Sequence, residues 1–147
     1  MILSFDLDDT LINGKITFPV EKQNIVQKII GFEKIRLGTV SLFRKLSQDG
    51  HQVYIYTTSY RNPLLIKLNF LSYGILINKV INANTHNKIM KNKSFRCSKY
   101  PPMFNIDLHI DDSEGVKKEG LVYNFETLII KNEADWSSVI LNKINSK

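Results

Sequence analysis

Short apolar stretches alternate with amphipathic ones along the whole chain, and this alternation constrains the fold more than any other feature. Ile2-Leu3-Ser4-Phe5, Val53-Tyr54-Ile55-Tyr56, the stretches 79–82 and 106–110, and a segment within 121–130 read as strands. Residues 20–30 place Ile25, Val26, Ile29 and Ile30 on one helical face, with Pro19 near the start and Gly31 past the end. Residues 39–48 form a second helix, apolar at Val40, Phe43 and Leu46 and closed by Gly50. A third starts at Asn62-Pro63, buries a stripe of Leu64, Leu65, Leu68 and Leu71, and stops at Gly74. The polar stretch 83–100 allows one short helix, and Pro101-Pro102 interrupts it. Asp135 caps a last helix with Trp136, Val139, Ile140 and Ile144 on one face.

Strands separated by helices need crossover connections, so the expected fold is α/β, with a mostly parallel five-stranded sheet between helical layers. In open sheets of this kind, ligands bind beyond the carboxyl ends of the strands. Asp6 and Asp8 follow the first strand, Thr57 the second, and Asp111 and Asp112 the fourth. Three polar clusters from distant positions therefore meet on one edge. Closely spaced carboxylates at the tip of an apolar strand create a negative potential that calls for a cation.

Each cluster has a plainer explanation when taken singly: an exposed acidic turn for Asp6, Asp8 and Asp9, and a helix amino-terminal cap for Asp111 and Asp112. Their joint position at the ends of two buried strands favours a metal site. An EF-hand loop starting at Asp6 fails, because it needs Gly where Leu11 stands and Glu where Thr17 stands. A P-loop fails too, since Gly14-Lys15 is followed by Ile16 and lacks the upstream glycine.

At 147 residues the chain is expected to form one domain, 1–147. It has no apolar run near the ~20 residues of a membrane span, and no secretory pattern at its start, so a cytoplasmic location is expected. Cys97 is the only cysteine, which excludes an internal disulfide and a cysteine zinc site, and it reads as a thiol without catalytic role. Twenty Lys and Arg against fourteen Asp and Glu give a net charge of +6, which suits phosphorylated substrates and admits nucleic acid as a partner. The lysines are scattered, however, and their densest stretch, 88–99, also reads as a solvated loop. His51 and His86 read as surface residues, and His109 as a hydrogen-bonded residue of the core or site wall.

Phe5-Asp6-Leu7-Asp8-Asp9-Thr10-Leu11 resembles the first motif of the haloacid dehalogenase (HAD) superfamily, Asp-x-Asp-x-Thr after an apolar strand. Tyr56-Thr57 resembles its second motif, and Ile110-Asp111-Asp112 the acidic pair of its fourth. For the Lys of the third motif, Lys99 is the first choice, with Lys88 and Lys93 as alternatives. The resemblance implies a Rossmann-like three-layer sandwich and a magnesium-dependent phosphatase. Asp6 would be the nucleophile that forms an aspartyl-phosphate, and Asp8 the general acid and base. Thr57 and Lys99 would hold the phosphoryl oxygens, and Mg²⁺ would sit on Asp6, the Asp8 carbonyl and Asp112, with Asp111 beside its waters. Thr58 is a further candidate for substrate binding; Arg61 follows closely enough to reach substrate or to pack on the surface. Dehalogenase-type members lack the second Asp, so Asp8 favours phosphoryl chemistry.

The stretches from Asp8 to Thr57 and from Thr57 to Lys99 are too short for the extra domain that many relatives insert, so a minimal or absent cap and an open site are expected. An open site admits large substrates, which keeps a nucleic-acid end-processing phosphatase as an alternative. A phospho-receiver domain is another, although its acceptor Asp follows a middle strand and here the acidic motif follows the first. A non-enzymatic HAD-like binding module is a third, against which the presence of both Asp6 and Asp8 speaks.

Overall fold

The computed structural model describes residues 1–146. Strands β1 (Ile2–Phe5), β2 (Gln52–Tyr56), β3 (Lys79–Ile81), β4 (Leu108–Asp111) and β5 (Thr127–Ile129) form one sheet in the order β3-β2-β1-β4-β5. Every neighbouring pair is parallel. The helices α1 (Ile25–Ile30), α2 (Thr39–Gln48), α3 (Pro63–Ser72), α4 (Ala83–Met90), α5 (Glu114–Tyr123) and α6 (Trp136–Asn145) flank this sheet. The architecture is a Rossmann-like α/β sandwich of three layers. Among the described residues no helix is long and apolar enough to cross a membrane.

The two-residue period of a strand sorts the core into two faces. Leu3 and Phe5 of β1, with Val53, Ile55, Leu108 and Ile110 of its neighbours, pack against α2, α3 and α6. The Phe43 ring of α2 lies 4.6 Å from that of Phe5 and 6.1 Å from that of Phe70 on α3. The alternate residues face the other way. Tyr56 and Ile81 form a smaller cluster there with Phe104 and Ile106. Ser4, His109 and Asp111 share this second side, and it leads up to Asp6.

Several expected elements change in detail. The first helix is shorter than 20–30, because Asn24 starts it with a capping box: Asn24 Oδ1 accepts from Gln27 N–H at 2.8 Å, and Gln27 Oε1 accepts from Asn24 N–H at 2.7 Å. Its apolar residues are not core: Ile25, Val26, Ile29 and Ile30 are all more than half exposed. The helix docks instead through Gln27, whose amide donates to the Ser72 carbonyl and hydroxyl at the end of α3. On α3 the stripe Leu64, Leu65, Leu68 and Leu71 is also exposed, and Ile66, Asn69 and Phe70 are the buried residues. That helix is apolar on nearly every side, so its periodicity names no single inward face. Helix α5 was not expected; β4 begins at Leu108 rather than 106; and Asp135 occupies the cap position of α6 without a capping bond from its side chain. His86, read as a surface residue, is buried between the Tyr56 hydroxyl (2.6 Å) and the Cys97 carbonyl (3.0 Å).

Arg36 ties the turn after β1 to the loop after β5. Its guanidinium lies between the rings of Phe18 (4.6 Å) and Trp136 (4.8 Å) and donates to the carbonyls of Thr10, Lys131 and Glu133. Burial pushes its pKa down without removing the charge. Arg36→Leu leaves the buried Thr10 carbonyl and the part-buried Lys131 and Glu133 carbonyls without this donor, and is expected to cost about 2–4 kcal/mol in urea unfolding.

Candidate functional site

The carboxyl ends of β1, β2 and β4 meet at the same edge, where β1 is central and backbone bonds lock the register. Asp6 N–H donates to the Ile110 carbonyl at 2.8 Å, which continues the β1–β4 ladder by one residue and sets Asp6 beside Asp111. Leu11 and Ile12 N–H both return to the Leu7 carbonyl at 2.9 Å and close the turn that carries Asp8. Asp9 holds this turn from outside, with a left-handed backbone (φ 63°) and its carboxylate accepting from Ile16 N–H at 2.7 Å.

Lys99 is the centre of the cluster. Its Nζ lies 2.5 Å from Asp6 Oδ1 and 2.6 Å from Asp111 Oδ2, and all three side chains are buried. Lys88 is exposed on α4 and Lys93 half-buried beyond it, so among the three candidate lysines Lys99 makes these contacts. The chain reaches the site from the second face, where Tyr100 N–H donates to the Tyr56 hydroxyl at 2.8 Å and the turn Pro101–Phe104 packs on Tyr56.

Beneath Lys99 runs a buried network. His109 Nε2 donates to Asp111 Oδ2 at 2.8 Å, and Ser4 Oγ lies 2.7 Å from His109 Nδ1. Burial pushes the His109 pKa down and the Lys99 charge adds to this, so the ring is neutral and the Ser4 hydroxyl donates to Nδ1. Asp111 also accepts from Ser113 N–H at 2.8 Å. Burial opposes its ionisation, but the His109 bond and the Lys99 charge outweigh burial and hold its pKa below the carboxylate range. Burial likewise opposes the charge of Lys99, and the two carboxylates override it and raise its pKa. For Asp6 burial wins: its pKa rises to about 6 although Lys99 pulls it down. Burial and the Asp111 charge raise that of Asp112 as well.

Asp6, Asp111 and Asp112 each offer a carboxylate oxygen within 4.8 Å of the others. An all-oxygen donor set suits a hard cation such as Mg²⁺, which binds oxygens at about 2.0–2.1 Å and keeps several waters. The three acids differ in what already engages them. Asp111 takes bonds from Lys99, His109 and Ser113, whereas Asp112 has the Thr10 hydroxyl at 3.3 Å, long for such a bond. Asp6 and Asp112 are therefore the better direct ligands, and Asp111 fits a role in fixing Lys99 and the metal's waters.

Asp8, two residues beyond Asp6 in the turn after β1, is half-buried. Arg61 Nη1 lies 2.7 Å from each of its carboxylate oxygens, and Arg61 Nη2 lies 3.1 Å from Glu33. Arg61 thus bridges Asp8 to Glu33, a residue the sequence did not single out, in a part-exposed ion-pair network. Thr57 is buried; its hydroxyl accepts from Ser59 N–H at 3.1 Å, which leaves its proton to be donated. Thr58 is exposed and lines a separate cavity of about 220 Å³ with Tyr60, His86 and Ser98. Burial pushes the Cys97 thiol up to about 11, in keeping with an unreactive residue.

No family model matches the chain, and no curated protein matches it.

Proposed function

We propose that the protein is a Mg²⁺-dependent phosphatase of the haloacid dehalogenase type, hydrolysing a phosphomonoester through an aspartyl-phosphate on Asp6. The observation that carries this reading is the convergence of Asp6, Lys99, Asp111 and Asp112 at the carboxyl edge of a parallel sheet. One carboxylate there is poised as nucleophile, one ammonium balances it, and further carboxylates can hold a cation. Phosphoryl transfer asks the protein mainly for such positioning and charge.

Mg²⁺, held by Asp6 and Asp112, would neutralise the charge of the phosphoryl group and bring it to Asp6. An Asp6 oxygen attacks phosphorus and the bond to the alcohol oxygen breaks, while Asp8, once it has left Arg61 and taken a proton from solvent, gives that oxygen the proton. Asp8 then takes a proton from water, whose oxygen attacks the same phosphorus, releasing phosphate and restoring the Asp6 carboxylate. Lys99 keeps Asp6 oriented and offsets its charge, and Thr57 donates its hydroxyl proton to a phosphoryl oxygen. Phosphate release from phenyl phosphate, with magnesium and with a chelator, tests the reading. Hydrolysis that needs magnesium and falls at least about 10²-fold in Asp8→Asn supports it; hydrolysis indifferent to either overturns it.

A further inference from the structure

Helices α1 and α3 turn apolar residues outward and leave them uncovered. The four of α1 and the four leucines of the α3 stripe, described above, are each between 40% and 79% exposed. The two sets form one face. Gln27 of α1 bonds the end of α3 at Ser72, while Ile30 and Leu65 line one cavity of about 350 Å³ between the helices. The helices therefore lie side by side and run in opposite directions. Scaled by the full area of a Leu or Ile residue, the eight present on the order of 800 Å², about a tenth of the chain's 8017 Å² of accessible surface. The largest apolar patch of an ordinary monomer is about 300–600 Å², and a stable interface takes about 800 Å² from each partner.

The face is nearly free of charge. Neither helix contains an acidic residue, and their two lysines fall at its margins. Lys67 turns away to donate to the Asn78 carbonyl at 3.1 Å, and helical spacing sets Lys28 beside the docked Gln27. A nucleic acid or an anionic lipid surface finds little positive charge here to bind, although the chain carries +6 in all. The relief suits another helical surface instead. On α3, Leu64, Leu68 and Leu71 follow the four-and-three spacing of a helix-packing seam. Ile29 is the most exposed of the eight, and the recess beside Ile30 belongs to the same face. A protrusion and a recess on one patch are what an isologous contact requires, since each copy gives what it receives.

We infer that two copies of the chain pack through this face about a twofold axis, α1 and α3 of one against α1 and α3 of the other. The contact is a four-helix layer with an aliphatic centre and a polar rim that includes the Arg61–Glu33 pair. It does not depend on the phosphatase reading.

Sedimentation equilibrium of the full chain tests this. For a 17.0 kDa chain, a particle of twice that mass is expected, with a dissociation constant of about 10 µM or tighter. Ile29→Glu and Leu68→Glu each bring like charges together in the apolar centre and are expected to weaken the dimer by about 100-fold or more. Circular dichroism should stay that of the wild type, because both positions face solvent in the single chain. Should Leu68→Glu fail to fold, Ile29→Glu decides alone. Leu121→Glu, at a comparably exposed residue of α5, should leave the dimer unchanged. A wild-type chain that stays monomeric at about 100 µM, a dimer that survives the substitutions in α1 and α3, or one lost equally in Leu121→Glu overturns the inference.

Discussion

Asp6→Asn is expected to abolish magnesium-dependent phosphate release, by about 10⁴-fold or more in kcat, because loss of a covalent nucleophile leaves only binding and electrostatic stabilisation. The substitution keeps the shape of the side chain and one oxygen. Lys99 retains Asp111 at 2.6 Å, so its charge stays paired and the fold should survive. Circular dichroism and a urea titration separate the two effects: a folded, inactive variant is expected. A folded variant with near wild-type turnover would remove Asp6 from the chemistry.

Lys99→Met has a larger expected effect on stability than any other single change at the site. It leaves Asp6 and Asp111 facing each other, both buried and without the cation between them. Removing one partner of a buried ionic cluster typically costs about 3–5 kcal/mol. The sign of the pH dependence follows from the carboxyls. With the ammonium gone, repulsion with Asp111 and burial both favour the protonated form of Asp6, so the unpaired charge disappears on acidification. The loss should be greatest near about pH 8 and shrink toward about pH 5, the reverse of the usual acid destabilisation. Urea midpoints at both pH values measure it; a loss that is equal at the two would show that Lys99 matters for packing alone.

The parallel sheet was legible because each strand is short, apolar and followed by a helix, and the meeting of Asp6, Thr57 and Asp111 at one edge follows from their places at strand ends. What the helices bury was not legible in the same way. Ile25, Val26, Ile29 and Ile30 do share a face, but periodicity says only that a face exists, not that anything covers it; Gln27 makes the contact instead. On α3, leucines surround the helix, and the inward side is chosen by the fit of Phe70 against Phe43. Helix α5 has little apolar periodicity because Gly115 and Gly120 interrupt its pattern, leaving Val116 and Gly120 as its buried positions.

The site divides along the same line. Lys88, Lys93 and Lys99 share one polar stretch, and what brings Lys99 inward is the neighbouring Tyr100 backbone bond to Tyr56, a long-range contact without sequence signature. The bridge from Asp8 through Arg61 to Glu33 joins three separate segments, and Ser4 beneath His109 looks in sequence like any small polar residue of a strand.

The proposed attack of Asp6 on phosphorus is tested by acid quenching of the protein during turnover of phenyl phosphate with magnesium, followed by peptide mass spectrometry. A phosphoryl group on Asp6, lost in Asp6→Asn, is the expected result. Steady release of phosphate with no adduct on Asp6, or an adduct at another residue that persists in Asp6→Asn, would contradict it.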